Sequence, residues 1–124
     1  PRWETDFAKA SAEAKKTSKH ILINFTGSDW CPWCFKLRDE VFATAAFEKY
    51  AEKNLILVVA DFPRGKQQSE ALVKQNRELA ERYSVPGFPT VIVLTPSGEL
   101  AGRTGYRPGG GESYVAHLKD MITR

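Results

Sequence analysis

At 124 residues and 42% hydrophobic, the chain is sized for one domain, 1–124, around a single core. Its 15 acidic residues nearly offset 18 Lys and Arg, and the excess of +3 is spread along the chain, so nucleic-acid binding has little electrostatic support. No apolar run reaches the roughly 18 to 20 residues that cross a bilayer, so a soluble chain without membrane insertion is expected, and a monomer with it.

Residues 1–20 contain no signal-peptide core, and the opening at Pro1, just ahead of the first periodic segment, raises the expectation that a leader has been removed. Thr5 is positioned to cap a first helix running to about Thr17, with Phe7, Ala10 and Ala14 on one face. Ile21-Leu22-Ile23-Asn24-Phe25 then forms a nearly continuous apolar run that suits a strand buried on both faces. Thr26-Gly27-Ser28-Asp29 breaks it and leads through Trp30 into Cys31-Pro32-Trp33-Cys34 and a helical stretch with Leu37 and Val41 one turn apart. Thr44 is placed to cap a continuation carrying Phe47 and Tyr50.

Leu55 to Ala60 reads as a central strand, with Asp61-Phe62-Pro63-Arg64-Gly65 supplying turn chemistry at its exit. From about Lys66 to Tyr83 the spacing of Leu72, Asn76, Leu79 and Tyr83 is helical. Pro86, Gly87 and Pro89 end that pattern. Thr90 to Leu94 and a stretch near Glu99 to Tyr106, joined by Pro96-Ser97-Gly98, predict a hairpin. A Gly109-Gly110-Gly111 loop then precedes a closing helix with Val115, Leu118 and Ile122 on one face. The order predicts an α/β chain with parallel pairs early and an antiparallel hairpin late.

Two cysteines three apart exclude a multi-bridge secreted scaffold and leave redox or metal chemistry. A zinc site needs four ligands, and His20 and His117 are too scattered to complete one, so no metal is expected. Haem attachment needs a histidine after the second cysteine, where Phe35 stands. Thiols at i and i+3 face one side of a helix and can close a disulfide. Unpaired amides at the helix start favour a thiolate, making Cys31 the exposed, attacking sulfur and Cys34 the inner, resolving one. Pro32 suits the first helical turn. Trp30 and Trp33 either pack around the helix start or form an apolar rim for an extended polypeptide. Lys36 and Arg38 are expected on the solvent flank, Asp29 and Asp61 as turn formers, Tyr106 in the core or on a rim, and Arg107 in solvent.

Trp30-Cys31-Pro32-Trp33-Cys34 after a buried strand, together with Gly87-Phe88-Pro89-Thr90 before a later one, resembles the thioredoxin superfamily over nearly the whole chain. More narrowly, Phe25 to Cys31 and Val59 to Arg64 resemble bacterial, disulfide-isomerase-like members that are often exported. The resemblance implies a thioredoxin fold, a central mixed sheet of four to five strands flanked by helices. It implies a cis Pro89 facing the dithiol, with Phe88 and Pro89 as a substrate platform beside Trp30, Pro32 and Trp33. It also implies a thiol-disulfide oxidoreductase that exchanges disulfides with protein substrates, has no bound cofactor, and needs a redox partner to recycle it. The alternative is a binding or chaperone module in which the dithiol is dispensable. The location implied is periplasmic or exported, with cytoplasm as the alternative. Many thioredoxins carry a buried aspartate where this chain has Asn24, so the proton acceptor for Cys34 is open: water or another carboxylate, Asp29 and Asp61 being the nearest.

Overall fold

In chain order the computed structural model, which describes residues 1–123, runs β1 (Trp3–Glu4), α1 (Phe7–Thr17), β2 (His20–Thr26) and α2 (Pro32–Leu37), which is prolonged by a π-helical turn over Arg38–Phe42. α3 (Ala45–Asn54), β3 (Leu55–Asp61), α4 (Glu70–Arg82), β4 (Thr90–Leu94), β5 (Leu100–Thr104) and α5 (Gly110–Ile122) follow. The five strands form one mixed sheet in the order β1-β3-β2-β4-β5, parallel from β1 to β2 and antiparallel from β2 to β5. The early parallel pairs and the late antiparallel hairpin are those the element order predicts, and the whole is the mixed sheet flanked by helices that the family resemblance implies.

Alternation along β2 explains the two layers. Leu22 packs with Leu37, Val41, Phe47 and Leu118 from α2, its π turn, α3 and α5. Ile21, Ile23 and Phe25 point the other way, into Ala10, Ala14 and Leu79 of α1 and α4. β2 is therefore apolar on both faces, as its composition requires. Asn24 is the polar interruption, and it falls on the Leu22 face near the end of the strand.

Several expectations are corrected at element ends. Asp6, not Thr5, caps α1: its carboxylate accepts from the amides of Ala8 and Lys9 at 3.0 and 3.3 Å, while the Thr5 amide is taken by Glu4. α4 starts at Glu70 behind Ser69, whose hydroxyl accepts from the Leu72 amide at 3.2 Å; residues 66–69 stay outside because Gln68 reaches back to the Asp61 carbonyl. Thr44 caps a separate α3 instead of a continuation. Gly110 and Gly111 lie within α5, and the buried face of that helix is Gly111, Tyr114, Leu118 and Met121, one position around from the expected stripe. β1 has no counterpart in the sequence reading. β5 stops at Thr104 and leaves Tyr106 beyond the hairpin.

Candidate active site

The sheet delivers the dithiol at the carboxyl end of β2, next to the start of β4. Cys31 is the N-cap residue of α2, extended at φ −97° and ψ 107°, and Pro32 occupies the first turn. There the proline's missing N–H costs no helical hydrogen bond. The Cys34 amide donates to Cys31 Sγ at 3.3 Å, an arrangement that favours negative charge on that sulfur. The two cysteines are joined as a disulfide with Cα atoms 5.2 Å apart.

Cys31 is 4% exposed and Cys34 5%, so the expected contrast between an exposed and an inner sulfur is absent in this oxidised state. The cover over Cys31 comes from the opposite loop, where Phe88–Pro89 is a cis peptide and the Phe88 carbonyl oxygen lies 3.7 Å from Cys31 Sγ. That loop is held by Thr90, whose hydroxyl donates to the Gly87 carbonyl at 2.6 Å.

The two tryptophans divide. Trp30 is half-buried, with its indole N–H on the Phe62 carbonyl at 2.7 Å, its ring edge-on to Phe88 and the Arg64 guanidinium 3.6 Å above it. Trp33 is 53% exposed beside the dithiol. Its ring lies 5.1 Å from Tyr106, and Lys36 sits 4.8 Å over it, so Lys36 is laid along an aromatic surface as well as solvated. Tyr106 in turn donates to Glu40 at 2.5 Å, which together with partial desolvation raises its hydroxyl pKa. The Tyr106–Glu40 pair went unread in the sequence because 66 residues separate its members. Arg107 is likewise not merely solvated: Nη1 lies 2.7 Å from His117 Nδ1. Arg38 pairs with Asp39 at 2.8 Å on the surface.

Asp29 and Asp61 are both loop fasteners. Asp29 accepts from the amides of Arg64 and Gly65 at 2.9 and 2.7 Å, and these bonds hold its carboxyl below the usual range. Asp61 accepts from the amide and hydroxyl of Ser28 at 3.0 and 2.5 Å. Asn24 is a different case. Its Oδ1 is buried without a hydrogen-bond partner among the described residues, and it borders a cavity of about 210 Å³ that reaches Cys34. A larger depression of about 630 Å³ lies among Arg2, Glu13, Lys19 and Glu52, away from both sulfurs.

Among the described residues no group of three or more His, Cys, Asp or Glu is gathered as a metal site would need. No helix among them is long and apolar enough to cross a membrane.

Comparison with known proteins follows the same lines. The family described as a thioredoxin-like domain matches residues 7–121. The chain is 37% identical over 121 residues to the disulfide bond reductase DsbH of Chlamydia pneumoniae, covering 98% of this chain and 72% of that protein. It is 24% identical to the thioredoxin-related protein DsbJ of the same organism, of whose length it spans 37%. A solved DsbH oxidoreductase superposes with a TM-score of 0.94 at 37% identity, over 98% of this chain and 84% of that one. A thioredoxin from Thermus thermophilus shares the fold at a TM-score of 0.70 and 24% identity, over 96% and 85% of the two chains.

Proposed function

The chain belongs to the thioredoxin-like family, and from that membership we propose that Cys31 and Cys34 are the redox couple with which this thiol-disulfide oxidoreductase reduces disulfides in protein substrates. The observation that carries the reading is Cys31 Sγ at the head of α2, bonded to Cys34 and faced at 3.7 Å by the carbonyl of the cis Phe88–Pro89 peptide.

In the reduced enzyme the Cys31 thiolate attacks a substrate disulfide, forming a mixed disulfide and releasing one substrate thiolate. Cys34 then attacks Cys31 Sγ, forms the internal disulfide and releases the second substrate sulfur. Two electrons have passed to the substrate, and a reducing partner must return them before the next turnover. The sulfurs carry those electrons themselves, so the reading needs no bound cofactor. The reducing direction rests on DsbH, named as a reductase and similar along nearly all of this chain.

Phe88 and Pro89 offer a backbone edge to an extended substrate, and Trp33 with Pro32 offers exposed apolar surface on the other side of the sulfurs. Trp30 supports that platform through its edge contact with Phe88. Residues 1–124 act in this reading as one monomeric domain, in a bacterial periplasm or exported.

The test is a pair of substitutions. Cys31→Ser is expected to abolish turnover, and Cys34→Ser to accumulate mixed disulfides with substrate; undiminished turnover in Cys31→Ser would overturn the assignment. Equilibration in glutathione buffers reads the direction. A potential near the roughly −270 mV of thioredoxin supports reduction, whereas a value of about −120 to −180 mV indicates an oxidase or isomerase.

A further inference from the structure

A buried thiol can attack only after it has lost its proton, and Cys34 is only 5% exposed. The space that reaches it is a cavity whose rim includes the exposed Ser28 and Arg38, so the groups lining that cavity are where the proton first goes. Leu22, Asn24 and Thr26 share one face of β2, and that face becomes polar as it approaches the dithiol. Asn24, Thr26, Ser28 and Cys34 all border the cavity of about 210 Å³, which has room for several waters at the order of 10–15 Å³ that each requires. The Asn24 amide oxygen, buried on this border, has no hydrogen-bond partner among the described residues.

Asn24 can anchor a water but cannot take a proton. Ser28 supplies the onward link. Its hydroxyl donates to Asp61 Oδ2 at 2.5 Å, while its own amide donates to Oδ1 of the same carboxylate at 3.0 Å. Asp29 is unsuited to the task, since both its oxygens are engaged by the Arg64 and Gly65 amides, which hold it ionised, and it does not border the cavity.

We propose that Ser28 and Asp61 form the proton route of the inner thiol, through water that Asn24 Oδ1 holds against Cys34. The proposal rests on the reading of Cys34 as the resolving cysteine. As the mixed disulfide resolves, the Cys34 S–H proton passes to the water, a water proton passes to Ser28 Oγ, and the Ser28 hydroxyl proton passes to the Asp61 carboxylate. The Cys34 thiolate then bonds to Cys31 Sγ, the bond from Cys31 to the substrate sulfur breaks, and the substrate leaves as a thiolate that takes a proton from solvent. Asp61 afterwards returns its proton to solvent past Lys66, whose Nζ lies 3.9 Å from Oδ2. Arg38, which also borders the cavity, is paired with Asp39 and is not a base.

The experiment follows single turnovers of the reduced enzyme with a peptide disulfide, quenched in acid so that the mixed disulfide is counted separately from the product. Ser28→Ala removes the hydroxyl and keeps the backbone bond to Asp61. It is expected to leave formation of the mixed disulfide within about twofold and to slow its resolution at least about tenfold at pH 7, less than the roughly hundredfold of a full general-base effect because cavity water and hydroxide still take the proton. The deficit should shrink as pH rises and hydroxide replaces the relay. Adding Asn24→Asp, which puts a carboxylate on the cavity itself, should restore resolution to within about threefold of wild type. Resolution at the wild-type rate across the pH range in Ser28→Ala, or no restoration by Asn24→Asp, would overturn the route. Failure of the wild-type enzyme to form any mixed disulfide would overturn the dithiol reading, and the route with it.

Discussion

Trp30 donates its indole N–H to the carbonyl oxygen of Phe62 at 2.7 Å, tying the loop that presents the dithiol to the exit of β3. The same ring is capped by Arg64 and abuts Phe88. One side chain therefore braces three loops around Cys31. Trp30→Ala is expected to destabilise the protein by about 3 kcal/mol, the lower end for loss of a large aromatic because the ring is only half-buried. Trp30→Phe keeps most of the packing and should cost about 1 kcal/mol, the worth of the hydrogen bond. Urea titrations of the two variants check the order, and equal losses would show that the bond to Phe62 contributes nothing separable from the ring.

Trp33 carries the opposite expectation. With 53% of its surface exposed and ring contacts among the described residues to Tyr106 and Lys36, it adds little to the core. Trp33→Ala should change stability by no more than about 0.5 kcal/mol, as surface substitutions generally do. If the ring meets substrate, kcat/KM for a protein disulfide should fall roughly three- to tenfold, matching about 0.5–1.5 kcal/mol for an aromatic contact. Activity toward glutathione disulfide, which offers the ring far less apolar surface than a protein chain, should fall less. Equal losses on both substrates would place the effect on the dithiol and not on a substrate contact.

The site was legible where neighbours in sequence are neighbours in space. The apolar runs marked β2, β3 and β4 to within a residue at their ends, and the cysteine pair and the Gly87-Phe88-Pro89-Thr90 segment stood out as local motifs, though the cis state of Pro89 came from the family resemblance and not from the residues themselves. What escaped depends on contacts between distant segments. β1 is two residues long, too short to show a period, and exists because Trp3 and Glu4 lie alongside Leu57 and Val58. Thr5 and Asp6 are both acceptable caps, and only the structure shows that it is the Asp6 carboxylate that accepts from the amides of Ala8 and Lys9. Asp29 looked like a turn former, yet its partners lie 35 and 36 residues away. Asn24 could be placed on its strand, but only the structure shows its oxygen unpaired beside Cys34's cavity.

The Asp29 clamp sets a pH signature. Its folded pKa is depressed by the amides of Arg64 and Gly65, so its contribution to stability is fully present above the ordinary carboxylate value of 3.8 and is lost as pH falls through the lower, folded value. Asp29→Asn should therefore be less stable than wild type at neutral pH, with the gap closing below about pH 4, near the model-peptide value for aspartate. Denaturant midpoints measured from pH 7 down to 2.5 test this. Faster hydrogen exchange at the Arg64 and Gly65 amides of the variant would locate the loss. A gap that does not change with pH would mean that the carboxylate charge is not what holds the loop.

Gly111 supplies the last expectation, and it concerns packing alone. The residue sits in the first turn of α5 against Thr44, and a β-carbon there would overlap the threonine's Oγ1 and crowd its Cβ. Thr44 cannot turn aside cheaply, because its hydroxyl donates to the Val41 carbonyl at 2.6 Å and accepts from the Phe47 amide at 3.3 Å as the cap of α3. Gly111→Ala must therefore shift α5 or break the cap, at about 1–3 kcal/mol. Gly102→Ala, by contrast, meets the flexible side chain of Met121, which can move, and should cost less. Thr44→Ala alone should cost about 1 kcal/mol through the lost cap. Combined with Gly111→Ala it removes the overlapping hydroxyl, so the double variant should be at least about 0.5 kcal/mol more stable than the sum of the single losses. Strict additivity in that cycle would show that α5 accommodates the new methyl group without pressing on Thr44.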